Sequence, residues 1–293
     1  MRILIFGQRV SEEQHPYIQE LFAAIHEESF EVAIYEPFIE QLRGHLELPE
    51  DIHLIHTSED LDLWKVDVVI TLGGDGTILK AVTLIQDKKI PILGINMGRL
   101  GFLASIENKF AAKAIHQLAK GMYSIDKRTM LYLETSDPIF DGNRFALNDF
   151  TLHKRDTSSM MVIRTFINGD FLTSYWADGL IVATPTGSTA YSLSCGGPIL
   201  FPRSGNFVIT PVAPHNLNVR PIVVRDDSVI SFEIEGRSSS YLASLDSRFE
   251  PVTPSVQLAI RKCDFETSIV LPDNFSFMKT LHEKLTWGAD SRN

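Results

Sequence analysis

The chain has 293 residues, of which 44% are apolar and 22% charged, the make-up of a folded globular protein long enough for one large domain or two ordinary ones. Its 27 basic and 37 acidic residues leave a formal net charge of −10, which argues against sequence-independent nucleic-acid binding, since that needs a basic footprint. Two cysteines, Cys195 and Cys263, with no CxxC pattern, argue against a disulfide framework or a zinc site and for a reducing compartment, here expected to be the cytoplasm. No stretch approaches the length needed to cross a bilayer. Anionic small molecules stay open as ligands, because helix N-termini can hold phosphate inside an acidic protein.

In chain order, MRILIFGQRV carries an apolar run too short for a signal-peptide core, and Ile3–Phe6 reads as a first strand. Ser11 to Gln14 has the capping-box pattern, and Ile18, Leu21, Phe22 and Ile25 then mark one face of a helix. Further strands are expected over Val32–Tyr35, Ile52–Ile55, Val66–Leu72 and Ile90–Ile95, with helices after Gly76 and after Asn108, the latter ending at Gly121. Strands alternating with helices predict a Rossmann-like α/β domain with a parallel sheet, over residues 1–123. From about residue 124 the pattern changes. Ile230, Phe232 and Ile234 alternate with polar residues, as do Val256, Leu258 and Ile260, and Asn168-Gly169 between two apolar runs predicts a hairpin. Residues 124–272 are therefore expected to form a β-rich, sandwich-like domain. Phe275–Leu285 returns to helical spacing, so residues 273–293 are expected to supply a helix that packs back on the first domain.

Four stretches carry chemistry. In VDVVITLGGDGTILK, residues 66–80, a buried strand feeds Gly73-Gly74-Asp75-Gly76, and a helix is expected to begin near Thr77. The loop fits neither GxxxxGK[ST] nor GxGxxG, but it shares their physics: backbone open to close approach, and a helix N-terminus facing it. The blander reading makes Asp75 a helix cap; the functional one makes it a base, or a carboxylate near Mg²⁺, in phosphoryl transfer. Lys80 is either a solvated lysine or a phosphate contact. GINMGRLGFL at 94–103 is a second glycine-punctuated turn after a strand. Asn148-Asp149 interrupts a strand-like pattern, either as an exposed strand face or as partners for ribose or adenine. DGLIVATPTGSTAYSLSCGGP at 178–198 delivers hydroxyl and small residues that suit a flat polar nucleotide, with a plain Gly/Ser loop as the alternative.

Taken together, GGDG at 73–76, NMGRLGFL at 96–103, Asn148-Asp149 and the 178–198 stretch resemble, in the same order, the motifs of the NAD kinase (ATP-NAD kinase) family. GGDG alone is shared with diacylglycerol, sphingosine and phosphofructo-kinases; the 96–103 and 187–198 pair is specific to NAD kinases. The resemblance implies transfer of a phosphoryl group from ATP to the 2′-hydroxyl of the adenosine ribose of NAD, giving NADP. It implies Asp75 as general base, Gly74 and Gly76 in the phosphate loop, and Lys80 near the nucleotide phosphates. Asn148 and Asp149 would hold the dinucleotide, Asp178 and Ala190 would contact its nicotinamide end, and Thr189, Tyr191, Ser192, Leu193 and Ser194 would line the rest of the pocket. It also implies Mg²⁺ or another divalent cation held mainly by the donor phosphates, and a homodimer or homotetramer with NAD sites near subunit interfaces. No nucleic acid or membrane partner is implied.

The chain departs from the family where Asn148-Asp149 replaces the more usual Asn-Glu, and at Trp176-Ala177 and Ser244-Leu245-Asp246-Ser247, where no contacts are carried over. Two other readings remain at this stage. A lipid or sugar kinase would share only GGDG and ignore NAD, and a non-catalytic dinucleotide sensor would bind without turnover. The choice between ATP and polyphosphate as donor, and acceptance of NADH, stay open.

Overall fold

The structure, a computed structural model, describes residues 1–49, 51–155, 160–236, 238–273 and 275–286. The chain divides into two compact units, one of Met1–Lys127 with Ser268–Asn293 and one of Arg128–Thr267.

In the first unit the strands are β1 (Arg2–Gly7), β2 (Glu31–Tyr35), β3 (His53–Ile55), β4 (Val68–Leu72), β5 (Ile92–Asn96) and the short β6 (Ile106–Glu107). The helices are α1 (His15–Glu27), α2 (Glu36–Ile39), α3 (Ser58–Trp64), α4 (Asp75–Ile85) and α5 (Ala111–Ala119). The sheet order is β5-β4-β1-β2-β3, every pair parallel, with β6 parallel to β5. Short apolar strands separated by helices can form little else, because a parallel neighbour needs a crossover connection. Ile18, Leu21, Phe22 and Ile25, the expected apolar stripe of α1, are all buried against Ile3, Ile5, Val32, Ile34, Ile115 and Leu118.

The boundaries moved for local reasons. β5 starts at Ile92 rather than Ile90 because Pro91 has no N–H, and the Pro91 carbonyl instead accepts from the Val69 amide. The Ser11/Gln14 box opens a 3₁₀ turn, Glu12–Gln14, from which α1 continues with Pro16 in its first turn. Gly121 takes φ +66° just past α5, as the end of that helix requires. Helix α3 was not foreseen, although Thr57 and Asp60 form its capping box.

The second unit is all β apart from short turns: β7 (Tyr123–Thr135, shared with the first unit), β8 (Phe145–Ala146), β9 (Asp149–Lys154), β10 (Met161–Ile167), β11 (Asp170–Ala177) and β12 (Gly179–Ala183). The one-turn α6 (Tyr191–Ser194) follows, then β13 (Asn206–Val212), β14 (Ile222–Arg225), β15 (Ile230–Gly236), β16 (Tyr241–Leu245), β17 (Arg248–Val252) and β18 (Leu258–Pro272), whose end re-enters the first unit. Strands β11-β10-β15-β18 form one antiparallel array and β14-β13-β12-β9-β16-β17 another. Phe150, Leu152, Phe207, Ile209 and Tyr241 of one array share a core with Ile163, Tyr175, Phe232 and Ile260 of the other, which is the expected sandwich. The hairpin between β10 and β11 turns at Asn168 (φ +53°) and Gly169 (φ +88°), as the Asn-Gly pair predicts. The C-terminal helix α7 (Phe277–Leu285) belongs to the first unit, with Thr280 and Leu281 buried.

Candidate active site

Parallel pairing puts the C-terminal ends of β1, β4 and β5 at one edge of the first unit's sheet, since Gly7 is in register with Leu72 and Leu72 with Ile95. Ligands of open α/β sheets bind outside such ends. The loops there are tied together: Gly73 N–H donates to Ile95 O at 3.0 Å, and Gln14 Nε2 donates to Met97 O at 2.6 Å. The buried Asn96 folds the second loop, accepting from Gly98 N–H at 2.7 Å and donating to Arg99 O.

Asp75 is not the cap of α4. Gly74 occupies that place, and the helix begins at Asp75, two residues earlier than expected. The carboxylate turns instead onto the second loop. Oδ1 accepts the Leu103 and Ala104 amides at 3.0 and 2.9 Å, and Oδ2 accepts the Phe102 amide at 2.8 Å. A carboxylate offers about four lone-pair positions. Three are filled by these amides, so one remains, on Oδ2.

The two glycine loops have different reasons for their glycines. A Cβ on Gly101 would lie 1.9 Å from Asp75 Oδ1, so that glycine exists to admit the carboxylate. A Cβ on Gly73 would lie 2.2 Å from Thr77 Oγ1. On Gly74 or Gly76 it would meet nothing within 4 Å, and both residues are exposed. Protein packing does not demand those two, which leaves the space above the start of α4 free for a ligand drawn to helix N–H groups. Lys80 is exposed on α4, about 140° round the axis from Asp75 at roughly 100° per residue, and has no carboxylate partner among the described residues.

In the second unit, β9 and β12 run side by side with Asp149 opposite Ala183. This brings Asn148-Asp149 against the turn after β12, where Thr184 N–H donates to Asn148 O at 2.9 Å and Thr184 Oγ1 to Leu147 O at 2.6 Å. A Cβ on Gly187 would lie 2.1 Å from Asn148 O. Gly187→Ala is expected to lower unfolding stability by roughly 1–3 kcal/mol, the usual cost of overpacking, as read by urea denaturation. Asn148 Oδ1 is buried with no hydrogen-bond partner among the described residues.

Asp246 was set aside in the sequence, and it is the main support of this pair. Its carboxylate accepts the Leu147, Asn148 and Asp149 amides at 3.0, 2.8 and 3.2 Å, and its own N–H donates back to Asp149 O at 3.0 Å. Asp246 takes φ +54° at the turn between β16 and β17, a left-handed position that Asp tolerates. Burial, then the Asp246 charge, push the Asp149 carboxyl up to about 7, against a weaker opposing bond from Thr151. Burial also raises Asp246, against the three amides that favour its ionised form. Near neutrality Asp149 can therefore present a donor as well as an acceptor. Between its ordinary value and about 7 the folded chain holds a proton that the unfolded chain has released. Stability should therefore fall as pH rises through that window. Melting temperatures recorded from pH 5 to pH 8 should decline, and less steeply in Asp149→Asn.

At the other end of β12, Asp178 pairs with Lys154 Nζ at 2.6 Å, and its carbonyl accepts the Lys154 amide at 2.9 Å. Residues 187–194 fold back across the sheet, anchored by Ser192 Oγ on Thr210 Oγ1 at 2.8 Å, and Thr210 is opposite Ile181 in mid-strand. Ser192 is fully buried, so its hydroxyl serves this anchor. Tyr191 is exposed above it. Its phenol is raised first by burial, then by the charge of Cys195 and its bond to it, with smaller contributions from the charges of Asp149 and Asp178. Thr189 donates to Thr186 O at 3.1 Å; Ala190 and Leu193 are half-buried and Ser194 exposed. Among the described residues no three His, Cys, Asp or Glu side chains are grouped to hold a metal ion.

An α/β unit with an acid-bearing glycine loop at its strand ends, joined in one chain to a β sandwich, places that loop where open α/β sheets take nucleotide ligands. The fold is that of yeast NADH kinase solved with NADH, at TM-score 0.87, 25% identity, 99% of this chain and 88% of that one. It is also that of an NAD kinase from Archaeoglobus fulgidus solved with ATP, at TM-score 0.76, 23% identity, 98% of this chain and 99% of that one. Residues 3–123 match the family model of the ATP-NAD kinase N-terminal domain and 147–271 that of the ATP-NAD kinase C-terminal domain. Full-length relatives named NAD kinase include those of Cytophaga hutchinsonii, 45% identical over 294 residues, and Flavobacterium psychrophilum, 43% identical over 295, each with 100% of both chains covered. The chain belongs to the ATP-NAD kinase family.

Proposed function

We infer that this chain transfers the γ-phosphoryl group of ATP to the 2′-hydroxyl of the adenosine ribose of NAD, giving NADP and ADP, and so sets the balance between the two coenzymes. The observation that carries this reading is Asp75, held by three amides with one lone pair left on Oδ2, beside a glycine loop with open space above it. The ribose oxygen forms a bond to the γ-phosphorus, the bond from that phosphorus to the β–γ bridging oxygen breaks, and the hydroxyl proton passes to Asp75 Oδ2. The three amides explain how an acid can belong to a phosphate loop. Their dipoles offset its charge, and they point it away from its own helix start, where Gly74 and Gly76 face the phosphates.

Asn148, with its free buried oxygen, and Asp149, with its retained proton, supply the donor and acceptor groups for the dinucleotide. Asp178, Thr189, Ala190, Tyr191, Leu193 and Ser194 line its nicotinamide end, Ser192 holds their turn, and Lys80 contributes charge toward the phosphates. The residues present fit a divalent cation held chiefly by substrate, because Mg²⁺ commonly takes one or two carboxylates and completes its shell with phosphates and water. Bound there, it would neutralise charge on the transferring group. The reading keeps the division into residues 1–123, 124–272 and 273–293, within which the family models match 3–123 and 147–271. A cytoplasmic setting is proposed from cysteine usage, Cys195 and Cys263 both being free thiols. A homodimer or homotetramer with NAD sites near its interfaces completes the reading.

The test is an NADP-formation assay with ATP and inorganic polyphosphate as donors, run in parallel on NAD, NADH, a diacylglycerol and a hexose phosphate. NADP formed from NAD supports the reading. Turnover confined to lipid or sugar, or tight NAD binding with no product from either donor, overturns it.

A further inference from the structure

The amide that orients Asp75 Oδ2 belongs to Phe102, and the ring of that residue is engaged by the C-terminal helix. Phe277, at the start of α7, packs on it with ring centroids 6.5 Å apart, and Lys284 places its ammonium 6.0 Å from the ring centre. These residues are seven apart and so lie on one face of α7, two turns from each other, the same side that buries Thr280 and Leu281. Leu100, Ser105 and Ile106, of the same segment as Phe102, border a cavity of about 260 Å³, which α5 and α7 also line. Oδ1 takes two of the three amides that hold the carboxylate plane, and Oδ2, the oxygen with the unused lone pair, takes the third, from Phe102.

We propose that α7 is a positioning element for the catalytic base: Phe277 and Lys284 pack on the Phe102 ring and thereby help to fix the loop whose amide sets the direction of the free lone pair of Asp75 Oδ2. The idea rests on Asp75 acting as the base. It assigns the C-terminal helix a part in the chemical step, although neither residue touches substrate. A misplacement of about 1 Å can cost roughly 10²-fold in rate, so the effect should appear in kcat rather than in substrate affinity.

The experiment compares Phe277→Ala, Phe277→Leu and Lys284→Met in the full chain, each also combined with Asp75→Asn. Phe277→Ala should lower kcat roughly 10-fold or more, with KM for NAD and for ATP changed less than about twofold and circular dichroism unchanged. Phe277→Leu should restore most of the rate, and Lys284→Met should lower kcat more mildly in the same pattern. In the Asp75→Asn background Phe277→Ala should have no further effect, because the group it positions is gone. An unchanged kcat in well-folded Phe277→Ala, a loss expressed in KM, or the same fold-loss on top of Asp75→Asn would each overturn the proposal. Near-normal turnover in Asp75→Asn alone would remove the base itself, and the positioning role with it.

Discussion

Asp75→Asn should bind NAD with near-normal affinity and turn it over roughly 10²–10⁴ times more slowly, the usual cost of losing a positioned general base. The structure adds a reason for the upper part of that range. The amides of Phe102, Leu103 and Ala104 donate to both carboxylate oxygens, whereas asparagine offers one oxygen and one NH₂ group. If the oxygen keeps the Leu103 and Ala104 amides, the NH₂ faces the Phe102 amide, and that bond is lost along with the proton acceptor. The variant should therefore lose about 1–3 kcal/mol of stability, the cost of an unsatisfied donor. Calorimetric titration with NAD separates binding from chemistry. Turnover near that of the wild type would take Asp75 out of the proton transfer.

Gly101→Ala should be nearly as damaging while leaving every ionisable group in place. Its new methyl would lie 1.9 Å from Asp75 Oδ1 and 2.6 Å from Cγ, far inside contact distance, so the carboxylate or the loop has to move. Either movement breaks the contact of Asp75 with the three amides. Gly101 carries no positive φ, so backbone strain is not the cause; the effect is the occupied volume alone. A loss of kcat of at least 10²-fold is expected, with NAD affinity retained. Gly98→Ala is the matching control: it lies in the same loop, but its Cβ would meet nothing within 4 Å, and it should be well tolerated. Equal activity in the two variants would mean that the loop does not set the carboxylate.

Much of this architecture can be read from local pattern. The strand–helix alternation of the first 123 residues, the buried stripe of α1 and the Asn168-Gly169 hairpin follow from periodicity and turn chemistry, which act over short range. Helix α3 was missed because its apolar signal is only seven residues long, even though Thr57 and Asp60 supply the cap and the acids of its first turn favour a helix start. The site divides in the same way. Asp75, Asn148 and Asp149 are visible as polar residues breaking apolar runs, but their partners are not, because those lie far along the chain. Asp75 is held by amides 27 to 29 residues away, and the Asn148-Asp149 pair by a carboxylate about a hundred residues away. Backbone N–H groups leave no mark in sequence. Gly101 was one hint, the third glycine of a stretch already read as a glycine-punctuated turn. Asp246 offered another, an acid in Ser244-Leu245-Asp246-Ser247, where the chain departs from the family pattern.

Quantitative phosphorus NMR of the purified chain with MgATP and NAD tests the central claim most directly, because it shows which oxygen receives the phosphoryl group and whether donor and product balance. The account predicts one equivalent of ADP for each equivalent of NADP, with the new signal that of a phosphate monoester on the 2′-oxygen of the adenosine ribose. ADP and inorganic phosphate without NADP, or a monoester on any other oxygen, would contradict it.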